Sequence, residues 1–454
     1  MSARAPHSSM PASEPLIAIA HAIRQRERSA VETLELHAQR IAKLNPTLNA
    51  MVALDLESAH QRAREADAAL ARGETWGPLH GVPFALKDCH EVAGFPTTVG
   101  APMFARYRPA RDGAVMRQLR AAGAIVFART NVAEYLADYQ CANPVYGRTS
   151  NPFDASRTSG GSTGGAAAVA TGMTPFDVGT DLAGSVRLPA AFCGVYGLKP
   201  TEHRISAAGV HPNPQGHPRQ VRALSCVGPL TRSVDDLALL MEVLGKPGVE
   251  DVDVPPVPLR EPERGAAGLR VAYVPSLDGG PVAASSTQAV KWAAKALVQS
   301  GAIVEEVATP LAELADDLRA HGEIVEMMLG AFRDSKKPKP TFEDHLRVSA
   351  RRDERTAALE RWFAHWDVLL CPVAMTNAFK HCETGAQIDV DGKLEPYMRL
   401  GSHLAAFNYT GHPALSVPAG FDDQGLPLGV QLVAARWHDG KLLALARALQ
   451  NLRR

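Results

Sequence analysis

Two glycine-rich stretches, SGGSTGGAAAVA at residues 159–170 and GTDLAGSVR at residues 179–187, decide how this 454-residue chain is interpreted. Glycine lets a backbone turn through conformations that are closed to other residues and lets it approach other groups closely. The first stretch runs into a small-residue helix at 166–170, and the second overlaps the end of a short apolar strand at 176–179. Together they predict loops in which backbone groups converge at strand and helix ends.

Outward from these loops, short apolar segments alternate with helical ones. Helices are predicted at 113–122 and 287–300, and strands at 82–86, 124–128, 176–179, 269–274, 302–307, 368–370, 414–417 and 430–433. This alternation predicts an α/β sheet covered by helices. The late strands are expected to complete the same sheet as the early ones, so the proline-rich stretch 251–262 is interpreted as a surface loop.

The first 75 residues have helical patterns. A capping box at 29–32 begins one helix, Asn45-Pro46 is expected to stop it, and a second helix is predicted at 56–72. We therefore expect a helical N-terminal segment, residues 1–75, packed on a single α/β domain, residues 76–454.

Composition narrows the function classes. Lysine plus arginine and aspartate plus glutamate both number 48, so no net charge favours nucleic acid or an anionic membrane. No run approaches the 18 apolar residues of a membrane span, and residues 1–15 lack the apolar core of a signal peptide. None of the six cysteines stands in a C-x-x-C pair. We expect a cytoplasmic protein with buried, reduced thiols and no metal ion.

The glycine-rich loops fit nucleotide binding poorly. A P-loop requires Lys followed by Ser or Thr after its last glycine, whereas Ala166-Ala167 stand there. A dinucleotide fingerprint, or a nucleophile elbow at Ser162, requires a strand directly upstream, and residues 151–158 have loop composition. His412 and His438 are the downstream bases for such an elbow, and nothing marks either of them. We expect no cofactor.

A serine can be activated without histidine when a neutral lysine accepts its proton. That lysine has to be desolvated, since its pKa in water is about 10.4. Lys87 closes the apolar stretch GVPFALKD at residues 81–88, where the end of a buried strand would provide such an environment. Taken alone, Lys87 is more simply interpreted as a solvated strand-end lysine.

Taken together, the three segments resemble the amidase signature family. Its G-[IV]-P-x-x-x-K-D, G-G-S-S-G-G and G-T-D-x-G-G-S-[IV]-R motifs are matched in order by residues 81–88, 160–165 and 179–187, and 189–201 and 408–420 also fit. The resemblance runs from about residue 16 to the end of the chain. It implies the amidase signature fold, an α/β fold with a large mixed β-sheet core covered on both faces by α-helices.

The resemblance also implies a catalytic triad. Ser185 would be the nucleophile, Ser162 the proton shuttle, preceded by a cis peptide bond, and Lys87 the general base. A serine hydrolase of this kind cleaves the carbon–nitrogen bond of a small-molecule amide through an acyl-enzyme. Asp181 and Arg187, which flank the nucleophile, are expected to hold their loop by an ion pair rather than to act in the chemistry.

Five further positions are expected around the triad. The backbone N–H groups of Leu182, Ala183 and Gly184, with that of the nucleophile, would form the oxyanion hole. Thr163 is a candidate for substrate contact. Leu136 aligns with a pocket residue of fatty acid amide hydrolase, and a plain core leucine is an equally good interpretation.

The chain departs from the family pattern at four places. Thr163 replaces the second serine of the G-G-S-S-G-G motif. Ala183 replaces a glycine and narrows the backbone conformations open to residues 182–185, here called the oxyanion loop. Ser162 and Ser185 are 23 positions apart, one fewer than usual, which we assign to a deletion at the start of the helix at 166–170. Cys226 stands where aspartate is common.

Three alternatives stay open. The A subunit of a glutamyl-tRNA amidotransferase would carry an acidic residue within 400–407, and this chain has none there. A non-catalytic member of the family is the second alternative. The third concerns the substrate, for which an alkyl amide, an aryl amide, a carbamate and an ester all stay open. Its pocket is expected to be built from 211–218 and the helices between 311 and 362. A homodimer is the candidate assembly, and the sequence leaves the oligomeric state open.

Overall fold

Helices and strands alternate along most of the computed structural model, which describes residues 14–210, 221–248, 251–311, 313–330 and 339–453. The helices are α1 (Leu16–Arg24), α2 (Ala30–Leu48), α3 (Leu56–Ala71), α4 (Ala114–Ala121), α5 (Gly165–Ala170), α6 (Arg187–Cys193), α7 (Val234–Leu244), α8 (Ala284–Gln299), α9 (Leu314–Gly330), α10 (Phe342–Phe363), α11 (Ser402–Tyr409) and α12 (Asp439–Leu452). The strands are β1 (Met51–Leu54), β2 (Pro83–Lys87), β3 (Ile125–Thr130), β4 (Ala142–Asn143), β5 (Gly147–Arg148), β6 (Phe176–Asp181), β7 (Tyr196–Lys199), β8 (Cys226–Thr231), β9 (Arg270–Tyr273), β10 (Ile303–Glu306), β11 (Val368–Pro372), β12 (Ile388–Val390), β13 (Lys393–Glu395), β14 (Ala414–Phe421) and β15 (Pro427–Ala434).

Eight strands form one large mixed sheet, in the order β10-β9-β11-β15-β14-β7-β8-β6. β9 runs parallel to β10 and β11, and the other neighbours are antiparallel. The late strands β11, β14 and β15 therefore do complete the sheet of β6, as their sequence predicted. The α/β class and the mixed sheet are confirmed. The strands at 83–87 and 125–130 lie outside this sheet, in a three-stranded sheet of order β1-β3-β2.

The N-terminal segment is not purely helical, although its sequence patterns predicted only helices. Met51–Leu54 forms a strand that pairs antiparallel with β3. Helix α2 also continues through Pro46 to Leu48 instead of stopping there. A proline this close to a helix C-terminus removes only one of the last backbone hydrogen bonds, so the final turn can still form.

Two strand ends bring the motif segments of the sequence together. Lys87 is the last residue of β2, and the segment 182–185 follows directly from β6. The rings of Phe84 on β2 and Phe176 on β6 stack with their centroids 5.0 Å apart, and both side chains are fully buried. This contact between the two sheets places the ends of β2 and β6 side by side.

Candidate active site

Lys87 is fully buried, so the sequence alternative of a solvated lysine is wrong. Its Nζ donates to Ser162 Oγ at 2.9 Å and to the hydroxyl and carbonyl oxygens of Thr180 at 3.1 and 3.3 Å. Burial lowers the pKa of Lys87, although nearby Cys89 and Asp177 favour its charged form. The site therefore favours a neutral amine more than water does, which is what a proton acceptor requires.

The loop that carries Ser162 is held by the backbone of residues 132–133 just after its cis bond. The Gly161–Ser162 peptide is cis, as the resemblance implied. The carbonyl of Ser162 accepts a hydrogen bond from Ala133 N at 2.9 Å, and the next residue, Thr163, forms a β-bridge with Val132. These contacts fix the direction in which the Ser162 hydroxyl points towards Lys87.

Thr163 lies behind this loop rather than in the cavity wall. It is fully buried; its hydroxyl donates to Asp177 Oδ2 at 3.3 Å and accepts from Gly165 N at 3.0 Å. Burial raises the pKa of Asp177 to about 6. Thr163 thus supports the loop from the side opposite a substrate, and this arrangement offers no support for its predicted substrate contact.

Ser162 and Ser185 both line a cavity of about 1090 Å³, together with Thr180, Leu182 and Ala183. Ser185 is half-buried. Among the described residues, no hydrogen bond joins the hydroxyls of the two serines. The Lys87–Ser162 half of the expected relay is therefore formed, and the link from Ser162 to Ser185 stays a prediction.

The carboxylate of Asp181 organises the segment that contains Ser185. It accepts hydrogen bonds from the backbone N–H groups of Gly184, Val186 and Arg187 at 2.8, 3.2 and 3.3 Å. The Arg187 guanidinium binds the same carboxylate through Nη2 at 2.9 Å and Nε at 3.0 Å, and both side chains are fully buried. Burial alone would raise the pKa of Asp181, but Arg187 outweighs it and holds that pKa well below its usual range. The expected ion pair is formed.

The oxyanion loop differs from its prediction at Gly184. Because the N–H of Gly184 is bonded to Asp181, it does not point to a substrate oxygen as expected. Gly184 has φ +112°, and a Cβ there would overlap the Leu404 side chain, so this turn requires glycine. Ala183 is not among the residues with positive φ, so its methyl group does not strain the loop. Ala183 and Leu182 remain candidate donors, because their N–H groups have no hydrogen-bond partner in the described part of the chain.

The remaining cavity wall is largely apolar. Leu136 lines it, as the resemblance implied, and so does α9, from the region 311–362 expected to build the pocket. The other expected stretch, 211–218, lies outside the described residues. Apolar side chains of this wall include Leu277, Leu311, Leu314, Leu318, Val325 and Met398. A separate cavity of about 1150 Å³, near α8 and residues 376–391, contains none of the predicted site residues.

Three polar groups at this wall had no signature in the sequence. Asp278 and Arg399 pair with each other at 2.8 Å, and His321 Nε2 lies 2.9 Å from the carbonyl oxygen of Leu182. His321 belongs to α9, which carries no motif, so only its packing reveals it. Neither His412 nor His438 lines the cavity. No group of three metal-ligating side chains occurs within the described ranges, and none of their helices is long and apolar enough to cross a membrane.

Known proteins of similar sequence indicate the family of the chain. A family model described as Amidase matches residues 32–329 and 319–443. The A subunit of the glutamyl-tRNA(Gln) amidotransferase of Thermosynechococcus vestitus is 32% identical over an alignment that covers 94% of this chain and 95% of that one.

Solved structures show the same fold. One chain, from a vestigial protein complex that reveals the evolutionary origins of an s-triazine catabolic enzyme, superposes with a TM-score of 0.85 at 26% identity, covering 97% of this chain and 99% of that one. The substrate complex of 6-aminohexanoate cyclic dimer hydrolase has a TM-score of 0.83 at 26% identity and covers 96% of both chains. With these matches and the ordered motifs, the chain belongs to the amidase signature family.

Proposed function

We propose that this protein is a stand-alone amidohydrolase that cleaves the carbon–nitrogen bond of a small-molecule amide. Ser185 is the nucleophile, Ser162 the proton shuttle and Lys87 the general base. The observation that carries this proposal is the 2.9 Å hydrogen bond from Lys87 Nζ to Ser162 Oγ, beside a cavity that both serines line.

The reaction proceeds by proton relay and acyl transfer. Neutral Lys87 takes a proton from Ser162, which takes one from Ser185, and the Ser185 oxygen attacks the amide carbonyl carbon. The proton returns through Ser162 to the leaving nitrogen as the carbon–nitrogen bond breaks. Water, activated by the same relay, then hydrolyses the acyl-enzyme to release a carboxylic acid.

Backbone N–H groups stabilise the negative oxygen that forms in this reaction. The N–H groups of Leu182, Ala183 and Ser185 face no partner among the described residues, unlike that of Gly184. Each donor of this kind contributes about 10²–10³ in rate in other enzymes. The Asp181 carboxylate, by binding three other amides of the same turn, leaves these to bind the substrate oxygen.

The apolar cavity wall supports an amide with an apolar acyl or aryl group as the substrate class. Asp278 is neutralised by Arg399, and Arg319 pairs with Asp316 at 2.7 Å. Of the other carboxylates that line the cavity, Glu326 is exposed, and Asp138 accepts hydrogen bonds from the hydroxyls of Thr384 and Tyr397. Apolar surface that leaves water stabilises a complex by about 25 cal/mol per Å², so a bound alkyl or aryl group would gain from this wall.

The A subunit of a glutamyl-tRNA amidotransferase is the second candidate, favoured by the 32% identity to one such protein. Against it, residues 400–407 at the cavity edge carry no carboxylate to hold the amine of glutamine. Activity on small amides by the chain alone would favour the stand-alone enzyme. Glutamine hydrolysis that requires a co-purified partner would favour the amidotransferase.

Labelling with a fluorophosphonate, followed by peptide mapping, tests the mechanism directly. We expect one adduct, on Ser185, and no hydrolysis by Ser185→Ala. An unlabelled Ser185, or full activity in Ser185→Ala, would overturn the proposal. Comparing kcat/KM for alkyl amides, anilides, carbamates, esters and glutamine then identifies the substrate class.

A further inference from the structure

His321 contacts the oxyanion loop from a helix that has no family motif. It lies on α9, is 8% exposed, and also lines the cavity. Its Nε2 is 2.9 Å from the carbonyl oxygen of Leu182. A carbonyl only accepts hydrogen bonds, so Nε2 must carry the hydrogen. Burial lowers the pKa of His321, which favours the neutral ring with one N–H.

The carbonyl groups of this loop are held by side chains from two helices. Asn408 Nδ2, on α11, donates to the carbonyl oxygen of Asp181 at 2.7 Å, and His321, on α9, holds that of Leu182. The Gly184 N–H is bonded to the Asp181 carboxylate. These three contacts fix successive peptide planes of one turn, and the plane between Leu182 and Ala183 depends on His321 alone among side-chain donors in the described residues.

Peptide geometry links His321 to the Ala183 N–H. The Leu182–Ala183 bond is trans, since the one cis bond of the described chain is Gly161–Ser162. In a planar trans peptide the C=O and N–H bonds point in opposite directions. A hydrogen bond that fixes the Leu182 oxygen therefore also fixes the direction of the Ala183 N–H, which has no other partner among the described residues.

We propose that His321 is a positioning residue for the oxyanion hole, which orients the Leu182–Ala183 peptide so that the Ala183 N–H binds the substrate oxygen. The inference rests on the proposed amidase function. In this role, His321 couples the cavity wall that receives the substrate group to the loop that stabilises the transition state. Because the oxyanion forms only during reaction, His321 acts on kcat more than on KM.

The test compares two substitutions with a matched control on the same helix. His321→Leu introduces an apolar side chain of similar bulk and removes the donor, whereas His321→Gln keeps a donor. Glu323→Gln removes an ion pair with Arg347 that is largely exposed, and a surface pair of this kind contributes little. The second-order rate of Ser185 labelling by a fluorophosphonate is measured for each, with kcat and KM for an anilide that the wild type hydrolyses.

We expect His321→Leu to label about tenfold more slowly or worse, with kcat lowered and KM within about threefold of wild type. His321→Gln should recover part of the rate, and Glu323→Gln should match wild type. Melting curves establish that each variant is folded. Labelling of His321→Leu at the wild-type rate, or equal losses in the Leu and Gln variants, would overturn the positioning role. Failure of wild-type Ser185 to label would instead overturn the proposed function.

Discussion

The two walls of the cavity are built on different principles. On one wall lies Ser162, and behind it Lys87, Asp181 and Arg187 are fully buried. Their polar groups are bonded to one another, to backbone or to neighbouring side chains. On the other wall, α9 presents apolar side chains such as Leu318 that make few directional contacts. The first wall has one geometry that satisfies its hydrogen bonds, and the second admits many side chains of similar volume.

With the proposed function, this difference would separate the residues of the chemistry from those that select the substrate. A buried polar network loses much of its stability if one member changes, so its sequence is restricted and can be read as motifs. An apolar wall tolerates substitution if volume is kept, so it can change with the substrate. His321 is the exception, since it reaches from the apolar wall to the oxyanion loop.

The largest loss is expected when the base is removed from the polar wall. Lys87→Met keeps the length of the buried side chain but cannot accept a proton from Ser162. We expect kcat to fall by about 10²–10⁴-fold, the range of general-base contributions, with a folded protein by circular dichroism. Near-normal turnover in this variant would remove Lys87 from the chemistry.

The pH dependence of kcat/KM sharpens the same point. The base must be neutral, so activity is expected to fall as pH drops through the pKa of Lys87. Because burial lowers that pKa, the acidic limb should lie well below the value of about 10.4 in water. The residual activity of Lys87→Met should lack this limb; an unchanged profile would assign it to another group.

Breaking the buried ion pair is expected to cost stability. Asp181→Asn leaves the Arg187 guanidinium buried without its counter-charge, at a cost of about 3–5 kcal/mol. Denaturant unfolding of wild type and variant measures the difference. The pKa of Asp181 is lowered in the folded state, so this contribution is present at neutral pH and is lost as pH falls through that pKa. Equal stabilities of the two proteins would contradict the assigned role.

Neighbouring small residues of the oxyanion loop offer a matched pair. Gly184→Ala adds a methyl group against Leu404 at positive φ, and we expect about 1–3 kcal/mol of destabilisation with a large loss of activity. Ala183→Gly, which restores the family glycine, should cost less than about 1 kcal/mol and keep most activity. If the two variants behave alike in melting and turnover, the turn is not as tightly packed as described.

The smallest effect is expected on the apolar wall. Leu318→Ala removes contact surface for an apolar substrate group, and we expect KM to rise by about three- to tenfold with little change in kcat. Leu36→Ala, which shortens a leucine that is 45% exposed on α2, is the control. Steady-state kinetics on an anilide measures both. A loss confined to kcat would place Leu318 in the chemistry instead of in substrate binding.

The motif residues could be identified from the sequence because each proposed role requires a particular residue type at a fixed spacing. Lys87, Ser162 and Ser185, the cis bond before Ser162, and the Asp181–Arg187 pair all followed from ordered motifs. The bond from the Gly184 N–H to Asp181 did not, because a motif states which residues are present and not where each N–H points. The strand at Met51–Leu54 was missed because its partner, β3, lies far away in the chain.

The sequence by itself determined the α/β class, the family and the candidate reacting groups, since strand and helix periodicity and short motifs are local properties of the chain. Only the tertiary structure decided that Lys87 is fully buried, that Thr163 faces Asp177 instead of the cavity, and that His321 reaches Leu182. Burial and hydrogen-bond direction depend on packing between segments distant in the chain: 139 positions separate His321 from Leu182. The apolar cavity wall exists only once those segments have come together.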